Sequence, residues 1–405
     1  MKYLSVVLLA VLLLTACSDD STGPDTPVPL RSLTEGEHEV LKANNDFAFS
    51  LFESTVATAP EKNVFLSPLS VSMALGMTLN GAVGETRTAM EETMALHGLT
   101  SAEINGAWKG LSDLLMQADP RVILTIANSI WSREGFSVEQ SFIDTNREFF
   151  DAEVQSLDFN DPQAAATINA WVNAKTNGLI PDIIDPPIPP EMMMYLINAV
   201  YFKGSWTTQF DPSKTLDDEF TALGGTKQPI KMMQRKGDIR YFANTMMQVV
   251  DLPYGWDRFS MAVVLPRPGV SLTEAAAELT SRWEDLDEQL GEIEMTVQLP
   301  RFTLEYEVEF SDILSALGME IAFDPSRADF AGINANGGLF ISEVRHKTFV
   351  EVNEEGTEAA AVTSVGVGTT SVPEHMRVDR PFLFVIHERH SGAILFIGQV
   401  TDLGS

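Results

Sequence analysis

The segment that most limits how this chain can fold is Glu354–Pro381, EEGTEAAAVTSVGVGTTSVPEHMRVDRP. It follows one strand-like pattern and precedes another, so it reads as a connection, and structureless connections of this length usually carry function. From Ala359 to Pro373 it has no charged residue over 15 positions in a chain that is 21% charged, an outcome that chance gives about 3% of the time at a chosen site. Read with period two, Thr357, Ala359, Ala361, Thr363, Val365, Val367 and Thr369 form one face, all small or β-branched. A strand buried on one side needs such a face. The other face, Glu358, Ala360, Val362, Ser364, Gly366 and Gly368, is smaller and more permissive. No proline interrupts the run before Pro373, so every backbone N–H can join a ladder. The fold must accommodate a connection that can also be a central strand. A merely flexible loop, or a stray aggregation-prone stretch, is the plain alternative.

The N-terminus adds a second constraint. Met1 and Lys2 open the chain, an apolar run extends from Tyr3 to Leu14, and Leu14-Thr15-Ala16-Cys17 follows. A basic start and a short apolar stretch ending in small residues read as a secretory signal, too short for a comfortable membrane span. Leu-Thr-Ala-Cys resembles the bacterial lipobox, which implies a lipoprotein signal peptide over 1–16 and acylation of Cys17. Residues 17–29 then form a lipidated cysteine and a polar, Pro-rich tether. The expected location follows: secretion across the inner membrane, then lipid anchorage to the cell envelope (outer membrane or cell surface), or release outside the cell. Cys17 is the one cysteine, so an intramolecular disulfide and a Cys-rich metal site are excluded.

Of 405 residues, 27 are Lys or Arg and 57 are Asp or Glu, for a formal charge of -30. That balance argues against nucleic-acid partners, which are held by cations on phosphates. With no obvious Lys/Arg cluster, a sulfated polymer finds poor footing too. No repeat or second linker divides residues 30–405, which read as a single domain. Helical spacing predicts helices over Leu41–Val56, Ser70–Leu79, Gly84–His97 and Ala102–Gln117, with Ser67-Pro68 as an N-cap and first turn. Further helices are expected near Pro162–Asn177, Leu272–Leu279 and Ser311–Leu317. Strands are predicted over Val122–Trp131, Met192–Phe202, Met247–Leu252, Phe259–Leu265, Glu292–Leu299, Phe340–Val352, Phe382–His387 and Ala393–Val400. Mixed elements without regular alternation give an α+β class with largely antiparallel sheets.

Signals for catalysis are missing. The six histidines occur without a nucleophile elbow, a phosphate-loop motif or a His-Glu-x-x-His helix. His387 and His390, in HERH, read as solvent-exposed turn residues and not as metal ligands. Gly366-x-Gly368 lacks the third glycine and following helix of a dinucleotide loop. Met192–Met194 and Met232-Met233 read as packing residues.

At the hinge of the unusual connection the chain resembles a serpin. Glu354-Glu355-Gly356-Thr357-Glu358-Ala359-Ala360-Ala361 is similar to the reactive-loop hinge of the family's inhibitory members. The likeness continues in NVFLSPLS (Asn63–Ser70), NAVYFKGSW (Asn198–Trp206), His346-Lys347, DRPFLF (Asp379–Phe384) and Leu395–Gly398, in order, and spans about Leu33 to Leu403. It implies the serpin fold: three mostly antiparallel β-sheets, about nine helices and an exposed reactive-centre loop, about residues 354–380. It also implies function as a suicide inhibitor of serine-type proteases, not as an enzyme, with no cofactor and no metal site. The resemblance implies that a cut loop would insert into the main sheet as an added strand and trap the acyl-enzyme. By the spacing typical of the family, the bait bond is Thr370-Ser371. Small β-branched residues there favour an elastase-like or subtilisin-like protease, with a cysteine protease as a further option, because a trypsin-like pocket would want a cation. The resemblance further implies a shutter at Ser67, Ser70, Asn198 and His346 and a breach residue at Trp206. His346 shares a face with Phe340, Val344, Val350 and Val352, so it is expected to be buried with a partner. A monomer is expected. The alternative is a non-inhibitory serpin acting as an envelope binding protein; charged or bulky residues at Thr357, Ala359 and Ala361 would have favoured it.

Overall fold

A computed structural model describes residues 29–357 and 374–404. The expectations placed on Cys17, Glu358, Ala359, Ala360, Ala361, Thr370 and Ser371 lie outside the described residues.

Seven helices of ten or more residues occur among the described residues: α1 (Glu35–Thr58), α2 (Pro68–Leu79), α3 (Gly84–Thr93), α4 (Ser101–Gln117), α5 (Gln140–Phe150), α6 (Ala164–Lys175) and α7 (Leu272–Gln289). A kinked stretch of short helical pieces, Ser311–Phe323, adds an eighth and bends at Gly318. Local chemistry sets several starts. Thr34 with Glu37, Thr100 with Glu103, and Ser271 with Glu274 form reciprocal caps that satisfy the first free N–H groups of α1, α4 and α7. Ser67 caps α2 ahead of Pro68, and α2 is buried on nearly all sides, as expected of a helix that is apolar all round.

The strands are β1 (Val64–Leu66), β2 (Val122–Arg133), β3 (Glu153–Leu157), β4 (Met194–Ser205), β5 (Leu216–Thr221), β6 (Lys227–Ala243), β7 (Met247–Tyr254), β8 (Phe259–Pro266), β9 (Gly291–Pro300), β10 (Phe302–Glu309), β11 (Arg345–Val352), β12 (Gly356–Thr357), β13 (Glu374–Arg377), β14 (Phe382–Glu388) and β15 (Ile394–Val400). They form a six-stranded sheet, β10-β11-β12-β4-β2-β3, and a nine-stranded one, β1-β15-β14-β8-β7-β6-β9-β13 with β5 on β6. The second and third sheets expected from the sequence are one hydrogen-bonded network because β6 serves both. Its start pairs β5, its end pairs β7, and β9 runs along Met232–Tyr241. The α+β class with largely antiparallel sheets holds.

Buried side chains divide into a large core and a satellite. The core joins α1, α2 and α4 to both sheets. The satellite holds Trp131 of β2, Tyr195 and Ile197 of β4, α6 residues, and Ile180, Ile184 and Ile188 from the segment after α6. It lies on the opposite face of the six-stranded sheet from α2, since Leu196 and Val200 pack on the main core instead.

Two expectations fail. Phe340–Val344 is not strand: β11 begins at Arg345, where its partner β10 ends at Glu309. His387 is not an exposed turn residue. β14 continues through Glu388, and His387 is 7% exposed with Nε2 3.2 Å from Oδ1 of the buried Asp251. His390 is exposed.

Candidate functional site

The site is a cleft in the six-stranded sheet. β12 pairs antiparallel with both β11 and β4, so β4 and β11 run parallel to each other with β12 between them. Among the described residues that bridge is two residues long: Val352 faces Thr357, while Gly356 and Thr357 face Ser205 and Gly204. Among the described residues β4 and β11 are joined in the sheet only there. Beyond it lies a cavity of about 190 Å³ lined by Ser67, Ser70, Asn198 and His346 together with Leu196 and Val200.

The four polar residues that the sequence singles out are thus brought together. His346 is 5% exposed, and its Nε2 accepts the Ser67 N–H at 3.0 Å. Burial pushes its pKa down to about 3, so the ring is neutral and carries its proton on Nδ1. The Ser67 hydroxyl donates to the Leu395 carbonyl at 2.9 Å. Ser70 donates to the Asn198 carbonyl at 3.4 Å. Asn198 donates its amide to Asn128 Oδ1 at 2.8 Å, and its own Oδ1 is buried without a hydrogen-bond partner among the described residues. Among the described residues no serine hydroxyl faces the imidazole as a nucleophile would; this cluster holds elements together and leaves the Asn198 acceptor open among them.

The hinge enters the sheet under tight constraint. Glu354 is 3% exposed; Arg301 Nε donates to its Oε1 at 2.7 Å and Thr215 Oγ1 to the same atom. Burial alone would raise the Glu354 pKa, but Arg301 and Thr215 hold it below the usual carboxylate range. The Phe210 and Trp206 N–H groups donate to the carbonyls of Glu354 and Glu355 at 2.9 and 2.8 Å. Gly356 has φ 151°, and a Cβ there would lie 2.1 Å from the Gly204 carbonyl oxygen. Only glycine fits. Thr357 is 4% exposed, with Oγ1 2.9 Å from the Tyr254 hydroxyl. Trp206 stacks on Tyr254 at 4.3 Å and donates Nε1–H to the Asn353 carbonyl. Trp206 therefore closes the end of the cleft where the loop begins.

Sequence reasoning missed Arg301, Thr215, Tyr254 and Asn128. Asn128 alone carries a signal, a polar residue inside an otherwise apolar strand. Glu354→Gln should lower unfolding stability by about 1–2 kcal/mol at pH 7, since a charged acceptor is lost. Its folded pKa is depressed, so the difference from wild type is full above the ordinary glutamate pKa and shrinks as pH falls through the lower folded value. Denaturant midpoints measured across that range check both statements.

Comparison with known proteins agrees with this geometry. A family model described as Serpin (serine protease inhibitor) matches residues 42–403. Human neuroserpin is 34% identical over 388 residues, covering 92% of this chain and 93% of that protein. The native-state crystal structure of Tengpin, a thermophilic serpin, matches with a TM-score of 0.83 and 32% identity over 93% of this chain and 97% of its own. Thyroxine-binding globulin complexed with thyroxine matches at 0.81 and 28% identity, over 90% and 99%. The fold and cleft define a protein whose six-stranded sheet has β4 and β11 bridged by β12, with a cavity beyond the bridge. The chain belongs to the serpin family. Serpins are generally protease inhibitors and not catalysts, although some are non-inhibitory.

Proposed function

We propose that this serpin is a suicide inhibitor of a serine protease with a preference for small β-branched side chains, elastase-like or subtilisin-like. The register of β12 on β4 carries the reading. Thr357 faces Gly204 in an antiparallel ladder, so continuing the same register sets Ala359 against Phe202, Ala361 against Val200, Thr363 against Asn198, Val365 against Leu196 and Val367 against Met194. Those β4 residues line the core side of the sheet. The loop's small, uncharged face would therefore be the buried one, and the Thr363 hydroxyl would meet the open acceptor of Asn198. On the opposite face Glu358 would lie across from Lys203. A one-residue slip would bury Glu358 instead.

In this reaction the protease serine attacks the Thr370 carbonyl. The Thr370–Ser371 bond breaks, the Ser371 amine leaves with a proton, and an ester joins Thr370 to the protease. The 15 residues from Gly356 to Thr370 extend over about 50 Å at about 3.3 Å each, enough to cross the sheet. Full insertion would carry the protease to its far end and distort its oxyanion hole before water releases it. The hinge favours this over the envelope binding protein, since Thr357 already sits inside the sheet. Cys17 would tie the inhibitor to a bacterial envelope through lipid, guarding that surface.

The test uses the chain lacking residues 1–17 with elastase, subtilisin and trypsin on denaturing gels. A covalent complex plus a released peptide beginning at Ser371 is expected. Clean cleavage without complex across a broad protease panel would favour the non-inhibitory alternative. Radiolabelled palmitate incorporated into the full chain but not into Cys17→Ser checks the anchor.

A further inference from the structure

The satellite layer over the sheet is fixed to the two rims of the cleft by different means. Its apolar side chains, Ile180, Ile184, Ile188 and those of α6, cluster with Trp131 of β2 and Tyr195 and Ile197 of β4. Polar ties on the same side reinforce that attachment: Arg133 of β2 donates to the carbonyls of Met192 and Pro189, and Asn169 of α6 holds the N–H groups of Ile183 and Ile184. No residue of β11 belongs to this cluster among the described residues. The layer reaches β11 with charge instead. Asp182 meets Lys347 at 2.7 Å, and Asp185 meets Arg345 at 2.5 Å. Lys347 is only 11% exposed and also has Glu305 and Glu307 of β10 within 3.7 Å, so it is anchored firmly on its own rim.

We infer that Asp182 and Asp185 form an electrostatic latch across the cleft and set the rate at which the sheet opens to admit a strand. Relative strength decides which contacts give way. A strand inserted between β4 and β11 needs two inter-strand spacings, about 9.6 Å, along their whole length. As β11 moves away, the layer must release one rim. Its side chains buried with β2 and β4 are each worth far more than an exposed ion pair, so the aspartate contacts break and the layer stays with β4. The pairs exist in the closed sheet and not in the opening one, which places them in the barrier. Under the inhibitory reading above, this latch decides whether an attached protease is trapped or released. It also restrains opening before any cut.

The experiment separates the latch from that reading. Amide hydrogen exchange across β4 and β11 is measured without protease on the wild type, on the Asp182→Asn/Asp185→Asn variant and on Asp182→Glu/Asp185→Glu. Exchange about five- to tenfold faster in the asparagine variant, with rates near wild type in the glutamate variant, is the expected result. Unchanged exchange in the asparagine variant overturns the latch. So does equal acceleration in both variants, since the role would then be steric and not electrostatic. A protease arm reads the consequence: fewer inhibitor molecules consumed per protease trapped by the asparagine variant. Absence of complex with every variant would sink the inhibitory reading while leaving the exchange result to decide the latch.

Discussion

Thr357→Arg yields a chain that a target protease cuts and releases, with no covalent complex surviving a denaturing gel. Thr357 sits between Gly204 and Val352, 4% exposed, with its hydroxyl on Tyr254. An arginine there must bury an unpaired cation at a cost of about 3–5 kcal/mol or keep the hinge out of the sheet. Either way the first rung is lost. At about 1.4 kcal/mol per factor of ten, insertion slows by roughly two to three orders of magnitude, and hydrolysis of the acyl-enzyme wins the race. Thr357→Val is the control: it preserves shape and neutrality and removes one hydrogen bond worth about 1 kcal/mol, so complex still forms. Complex from Thr357→Arg in wild-type yield would refute the entry of the loop at β12.

Mild acid should weaken the molecule through His346. Burial lowers its folded pKa to about 3, against about 6.5 for an unfolded histidine. The unfolded chain therefore takes up the proton first. Stability linked to His346 is intact above about pH 6.5 and is lost as pH falls toward 3, by up to about 1.4 kcal/mol per unit. At pH 5 the loss is about 2 kcal/mol by the same linkage. Protonating Nε2 would also remove the acceptor for the Ser67 N–H, which holds α2 against β11. Thermal midpoints between pH 7.5 and 5 should fall more steeply for wild type than for His346→Gln, which cannot titrate. Parallel slopes would assign the acid sensitivity to other groups.

Part of the cleft was legible in the sequence because its parts are local. The Ser67-Pro68 start of α2 and the alternation that buries His346 both depend on near neighbours. The partners of Glu354 were not legible. Arg301 and Thr215 come to it through the meeting of three separate elements, and nothing in their own segments marks them. His387 shows the same limit from the opposite side. HERH looks polar enough for a turn, yet the strand continues because Asp251, far away in sequence, supplies the charge that lets the imidazole be buried. Phe340–Val344 has a strand's composition but lies past the end of β10. Strand assignment requires a partner, and periodicity does not supply one.

The two-residue strand β12 also has a kinetic meaning. Joining a new strand to a sheet is slowest at its first contacts, where chain entropy is spent before the ladder returns anything. Here that nucleus is already in place in the intact molecule, with its register fixed by Gly356 and Thr357. Under the inhibitory reading proposed above, closure of the sheet after cleavage would be propagation, like a zipper with its slider already engaged. Lengthening the loop beyond Thr357 would change how far the zip travels and leave the moment it starts unchanged.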